Sequence, residues 1–275
     1  MEKIVLAPYI DQTDRWVNGC ESISAVMLLQ AMGIRIDPDT FTTLAFVTFD
    51  AHGDRSFAFA RKPGADTQLR WDEIDPAMLD ETHVLHFGSL SCTDEPARSA
   101  TQSAVAYARA HGKLVTYDPN YRPPLWKTER EAKEQILWGL RQADVVKISD
   151  EEVSFLFGDI SYEEAAQKLL DEFGIRLVFV TLGKNGCLFA NRNAVGTVPA
   201  LTGLHTIDTT GAGDIFGGSA VWKLLQTGKA PEALDGAELD EIVRFACTSA
   251  GLSTEKPGGI SSVPAFEDVC ARAGL

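Results

Sequence analysis

The string Asp208-Thr-Thr-Gly-Ala-Gly-Asp214 sets small residues directly ahead of a helix-like run over residues 215–225. Backbone N–H groups at a helix start lack intrahelical partners, and the helix dipole favours negative charge beside them. Asp214 falls on the first turn, where its carboxylate can take a proton from a hydroxyl attacking a phosphate. An ordinary Asp, with a pKa of about 4, is ionised at neutral pH and able to accept that proton. The combination suits phosphoryl transfer, which depends chiefly on positioning and charge stabilisation. Glycine-rich turns also precede helices for packing alone. A seven-residue string with an Asp at each end is more than packing requires.

Three other turns carry polar residues in useful patterns. In Tyr117-Asp-Pro-Asn-Tyr-Arg-Pro-Pro124, Asp118, Asn120 and Arg122 alternate. In an extended segment held by its prolines they project to one side. Turn chemistry accounts for Asp, Pro and Asn. It does not require Arg122, a natural anchor for a phosphate or a sugar hydroxyl. Lys147-Ile-Ser-Asp-Glu-Glu152 ends a strand and opens a helix. Ser149 followed by Glu152 reads as a capping box, and equally as a pair arranging a hydrated Mg²⁺ near phosphates. In Thr181-Leu-Gly-Lys-Asn-Gly186, Gly183 and Gly186 permit close approach of a nucleotide. A simple hairpin turn into residues 187–190 fits that stretch as well.

The elements that must position these turns alternate along the chain. Residues 43–49 and 55–60 are β-rich runs joined by a Gly-containing loop, a hairpin pattern. Short apolar runs follow at 84–88, 114–117, 145–148 and 177–182, separated by helical patterns near 95–110, 129–142 and 162–173. Longer helical segments occupy 215–225 and 239–253. Buried β runs alternating with amphipathic helices predict a three-layer α/β fold, a mainly parallel sheet with helices on both faces. Ligands of such sheets sit at the carboxyl ends of the strands, and those ends are where the polar turns fall.

Bulk properties narrow the function. The chain has 275 residues, 45% of them hydrophobic, and a formal net charge of −14. A polyanionic partner, nucleic acid or an acidic membrane surface, is repelled on average; ATP, held by local amides and a cation, is not excluded. Cys20, Cys92, Cys187, Cys247 and Cys270 are scattered and form no C-x-x-C pair, which argues against a disulfide framework or a cysteine zinc site. No apolar run reaches membrane-spanning length and the opening residues lack a signal-peptide core, so a cytoplasmic location is expected. A G-x-x-x-x-G-K-[ST] string is missing, and the glycines at 211, 213 and 217 do not make the dinucleotide fingerprint. The five histidines form no H-x-x-x-H pair; His83 and His86, beside a strand, are assigned to structure.

With these motifs in hand, the chain resembles the ribokinase-like (PfkB) carbohydrate kinases, and within them the bacterial fructokinases. The residues that carry the resemblance are Asp208 to Asp214, Thr42-Thr-Leu-Ala-Phe-Val, Gly53-Asp-Arg-Ser-Phe, Arg61-Lys-Pro-Gly-Ala-Asp66, His86-Phe-Gly-Ser-Leu, the Asp118 to Trp126 turn and the Lys147 to Glu152 turn. It covers roughly residues 41–264. The resemblance implies ATP-dependent phosphorylation of a sugar hydroxyl, most simply fructose, with Mg²⁺ bridging the ATP phosphates. It implies Asp214 as the base and Gly211, Ala212 and Gly213 as the anion hole. Asp208 and Thr210 would lie near an activating monovalent cation such as K⁺. Thr181, Gly183 and Gly186 would border the nucleotide, joined by Ser149, where many members have Asn, by Glu152, and by Cys247, where many have Asn near the adenine. Arg61, Asp118, Asn120 and Arg122 fall on the substrate side. Pairing of two chains through the lid is the assembly it suggests.

The opening departs from the family, whose first strands carry a sugar-binding Asp, a Gly-Gly-x-x-x-Asn segment and half of the lid sheet. Residues 1–40 are therefore read as an atypical segment and residues 41–275 as the kinase domain, with a partial hairpin lid. Ile4-Val-Leu-Ala-Pro-Tyr-Ile-Asp-Gln-Thr and Asn18-Gly-Cys-Glu-Ser-Ile-Ser-Ala-Val-Met-Leu-Leu29 resemble the start of a papain-like cysteine peptidase domain of the bacteriocin-processing type, with Cys20 in the nucleophile's place. The His and orienting Asp or Asn that such chemistry needs would lie in a downstream half that this sequence lacks. Two further readings follow: a kinase remnant that binds nucleotide without transferring phosphate, and a peptidase using Cys20.

Overall fold

Alternating parity along the central strands decides the architecture. In β5 (Val145–Ser149), Val145 joins one group of buried apolar side chains, while Val146 and Ile148 join another. In β6 (Leu177–Thr181), Leu177 and Phe179 belong with Val145, and Val178 and Val180 with Val146. Successive side chains of a strand point to opposite faces, so both faces are apolar and both must be covered.

The computed structural model describes residues 40, 43–49, 55–61 and 64–275. The opening segment and its Cys20 lie outside the described residues, as does the loop between the first two strands. β1 (Leu44–Phe49) and β2 (Arg55–Ala60) form a separate antiparallel ribbon, with Leu44 opposite Ala60 and Phe49 opposite Arg55. The main sheet has six strands in chain order: β3 (Val84–Gly88), β4 (Leu114–Asp118), β5, β6, β7 (Cys187–Ala190) and β8 (Val195–Val198). Neighbours from β3 to β6 run parallel, and β7 and β8 return antiparallel.

A short helix, α1 (Pro76–Glu81), precedes β3, with Asp75 accepting the Ala77 N–H as its cap. One face of the sheet is covered by α2 (Ala97–Ala110), α3 (Glu129–Leu140), α4 (Asp150–Phe157) and α5 (Tyr162–Glu172), which bury Val105, Ile136, Val153 and Leu169 against Val146 and Ile148. The other is covered by α6 (Ala212–Gln226) and α7 (Gly236–Ser253), whose Phe216, Leu224, Leu239 and Val243 pack on Val145 and Phe179. α8 (Phe266–Ala273) lies outside α7, Phe266 against Phe245. The helix starts are chemically marked: Ser149, Ser161 and Asp235 each close a capping box with a Glu three residues on.

The expected three layers and mainly parallel sheet are present. α6 begins three residues ahead of the expected 215, because the glycines permit the helix to start within the 208–214 string. β8 has no counterpart among the expected strands. Its four residues are too short for a periodic signal, and Gly196 is there because the Phe189 ring opposite occupies the space: a Cβ would lie 2.5 Å from that ring.

Candidate active site

The same parity rule places the chemistry. On β3 and β4 the apolar Phe87, Val115 and Tyr117 belong to the face under α2 to α5, so His86, Thr116 and Asp118 face the opposite way, toward α6. On β5, Lys147 shares the parity of Val145 and faces α6 too. His86 and Thr116 are register partners and their side chains are 2.9 Å apart. Asp118 Oδ2 accepts a hydrogen bond from Lys147 Nζ at 2.9 Å. At the carboxyl ends of these strands a cavity of about 230 Å³ is lined by His86, Gly88, Ser91, Asp118, Asn120 and Asp214.

The start of α6 forms the other wall. Gly211 takes a left-handed conformation, φ 75°, and a Cβ there would sit 3.1 Å from Gly259 Cα. Both facts demand glycine. Asp208 holds the loop: Oδ1 accepts the Thr210 N–H and hydroxyl at 2.9 and 2.7 Å, and Oδ2 accepts the Gly258 N–H at 2.9 Å. Of the three amides assigned to an anion hole, the Ala212 N–H already donates to Thr209 O at 3.2 Å. Among the described residues, no backbone carbonyl accepts the N–H of Gly211 or Gly213. Asp214 is exposed on the first turn and reaches the cavity rather than the core.

Charge is concentrated around Lys147, whose side chain is only 13% exposed. Burial opposes its charge, but Asp118, Glu152 and Asp214 together outweigh that effect and raise its pKa. It stays an ammonium. Glu152 is pushed up by burial and by Asp118, against the pull of Lys147 and of two backbone N–H groups. Those donors are Ser149, at 2.8 Å to Oε2, and Tyr121, at 2.8 Å to Oε1. The Ser149–Glu152 pair is thus a capping box that also ties the 118–122 turn to α4.

The remaining assigned residues divide. Asn120, at φ 45°, is held by its N–H on Asp118 Oδ1 at 3.1 Å and lines the cavity. Arg122 does not line it; its Nη1 donates to Tyr121 O at 3.3 Å. Arg61 is directed elsewhere: Nε donates to Asp66 at 2.7 Å, Nη1 to Thr93 at 2.7 Å and Nη2 to Leu90 O at 2.9 Å. It fastens the hairpin to the body. Thr181 ends β6, its hydroxyl 3.4 Å from Ile148 O, with Gly183 and Gly186 in the turn beyond at positive φ. Cys247 is 8% exposed in the apolar layer beneath α6, and burial pushes its thiol up to about 12. A neutral packed thiol is what that environment favours.

The pfkB family carbohydrate kinase profile matches residues 29–265. The chain belongs to this family of carbohydrate kinases. The PfkB match begins inside the segment read as atypical. Among curated relatives, Fructokinase-2 of Solanum lycopersicum is 40% identical over 238 residues, covering 86% of this chain and 71% of the relative. Among solved structures, the fructokinase of Xylella fastidiosa with bound ATP superposes with a TM-score of 0.78 at 28% identity, covering 90% of this chain and 79% of that one. The fructokinase of Vibrio cholerae O395 in its fructose, ADP and calcium form gives 0.75 at 32% identity, covering 92% and 81%. Among the described residues, no helix is long and apolar enough to cross a membrane.

Two residues of this PfkB site carry no role in the sequence reading, Lys147 and His86. Each leaves a trace: a basic side chain inside a short apolar strand of a parallel sheet, where near-continuous hydrophobic runs are the rule. Desolvation lowers the His86 pKa from 6.5, Lys147 lowers it further and Asp118 opposes both. The ring is therefore neutral at pH 7. Between its folded pKa and 6.5 the unfolded chain binds the extra proton, so stability falls as pH drops through that window. In His86→Gln this contribution disappears. Urea midpoints measured from pH 7 to 5.5 are expected to decline less in the variant than in wild type, and parallel declines would refute the assignment.

Proposed function

We propose that this kinase transfers the terminal phosphoryl group of ATP to a hydroxyl of fructose, with Asp214 as the general base. One observation carries the reading. Asp214 opens onto the same small cavity as Asp118 and Asn120, beside two helix-start amides that no described backbone carbonyl accepts. A sugar hydroxyl in that cavity meets its base on one side and the phosphoryl cradle on the other. Asp118 and Asn120 orient the sugar, and Arg61 contributes by fastening the hairpin. Arg122 stands at the rim of the substrate turn. The nucleotide lies over the ends of β5 and β6, beside Ser149, Glu152, Thr181, Gly183 and Gly186, with Cys247 beneath the adenine.

Among the described residues, no three His, Cys, Asp or Glu side chains converge to hold a metal ion. Glu152 already accepts two backbone N–H groups. A magnesium ion accompanying ATP would neutralise charge on the phosphates, and Ser149 and Glu152 are the residues that would arrange its water shell. The Asp208 carboxylate likewise accepts three donors, two from Thr210 in its own loop and the Gly258 N–H. It orders the 208–214 segment, and with Thr210 it borders the place we assign to an activating potassium ion; a Vibrio cholerae fructokinase variant binds potassium alongside fructose and ADP. Exposed Leu44 and Phe46 on β1 support pairing of two chains through the hairpin, and a cytoplasmic location fits the need for ATP.

The test is an ATP-plus-fructose assay on the full chain, with the product identified by phosphorus NMR. Saturable formation of a fructose phosphate is expected. ATP binding without transfer would overturn the proposal and leave the nucleotide-binding remnant.

A further inference from the structure

We infer that Lys147 is a further catalytic residue: its ammonium contacts the phosphoryl group in flight, as the cationic wall of the cradle formed by the Gly211 and Gly213 amides. The inference rests on the phosphoryl-transfer reading above. A Cβ built on Gly213 would lie 3.2 Å from Lys147 Nζ, so the ammonium is held directly against the start of α6. A side chain there would press on the ammonium, which would have to give by a few tenths of an ångström. Asp118 fixes Nζ from the sugar side at 2.9 Å, and Asp214, across the cavity, adds to its charge stabilisation. No Lys or Arg lines the cavity itself among the described residues, and Lys147 borders it through Asp118, one of the lining residues. Three carboxylates surround Lys147, Asp118, Glu152 and Asp214. Without the ammonium, the charged side chains that an incoming triphosphate met there would all be carboxylates.

A stability role alone explains the arrangement poorly. A buried ion pair is weak support for a fold, since apolar residues of similar volume commonly do as well. Lys147 sits in a strand whose neighbours Val146 and Ile148 are buried apolar side chains. An ammonium held at this position among carboxylates is suited to a place where further negative charge develops.

In the transfer step the bond between the terminal phosphorus of ATP and its bridging oxygen breaks, and ADP leaves with that electron pair. A bond forms from the sugar oxygen to phosphorus, and the hydroxyl proton passes to Asp214. Lys147 keeps its proton throughout. Its contribution is electrostatic and largest when charge on the phosphoryl oxygens is being redistributed.

The experiment compares wild type with Lys147→Met and with Lys147→Met/Asp118→Asn, in which no buried charge of the pair is left alone. Calorimetry measures ADP with Mg²⁺ alone, and ADP with Mg²⁺ and aluminium fluoride, which mimics the phosphoryl group in transfer. Removing one preorganised donor to developing charge costs about 10²–10³-fold in kcat, and that is expected in Lys147→Met. ADP affinity is expected to stay within about threefold, while affinity for the aluminium fluoride complex falls by as much as kcat. The double variant should lose the same preference for the mimic. Retention of the mimic-over-ADP preference in either folded variant would overturn the inference, as would equal weakening of both ligands. A wild type that prefers the mimic but does not phosphorylate fructose fails the sugar assignment alone.

Discussion

Asp214→Asn is expected to lower kcat with ATP and fructose by about 10²–10⁴-fold, the range for loss of a positioned general base. The amide keeps the volume and polarity of the side chain but cannot accept the hydroxyl proton. Asp214 lies on the first turn of α6 and is exposed, so the substitution leaves no buried group without a partner and stability should change little. ATP affinity should hold or rise slightly, since one negative charge facing the triphosphate is gone. A steady-state assay together with ATP titration decides the matter. A variant retaining more than a tenth of wild-type kcat would remove Asp214 from the base's role, and with it the central assignment.

Gly186→Ala is expected to be the most destabilising conservative change in the polar turns. Gly186 has φ 97° and ψ −137°, a region that side chains rarely enter. A Cβ there would also fall 2.0 Å from Val198 O and 2.7 Å from Ala200 N. Backbone atoms cannot rotate aside as a side-chain tip can, so β7 and the end of β8 must part. Strain at such a dihedral costs about 1–3 kcal/mol, and overpacking adds about 1–3 more. With about 2–4 °C lost per kcal/mol in a domain of this size, the melting temperature should fall by roughly 5–20 °C. Gly183→Ala is the control. Its φ is 53°, yet no heavy atom lies within 4 Å of the built Cβ, so it meets only the left-handed penalty of about 1–2 kcal/mol. Calorimetric melting of both variants checks the contrast, and similar losses would show that the clash is relieved cheaply.

That pair shows how far local pattern reaches. Both glycines stand out in the sequence for the same reason, conformational freedom near a strand end. Only the return of β8 alongside β7 makes one of them indispensable, and β8 is too short and too interrupted by Gly196 to be visible beforehand. Arg61 and Cys247 teach a similar lesson. What each side chain touches is set by its neighbours in space: Arg61 bonds Asp66 and Thr93, and Cys247 lies in the layer beneath α6.

The amino-acid order alone determined those features that depend on near neighbours. Strand and helix periods set the α/β layering. Glycines ahead of residues 215–225 marked a helix start suited to an anion, and Asp214 on its first turn marked the proposed base, because the amides of a helix start and its dipole are local properties. Which side chains share the cavity was decided in three dimensions. His86, Asp118 and Lys147 stand on three parallel strands separated by helices. They meet only because the strands pair side by side in register with matching parity, and because the chain later returns Gly213 to within reach of Lys147 Nζ. The charge of Lys147 and the neutrality of His86 depend on distances between residues remote in sequence. Such distances are set by packing, not by spacing along the chain.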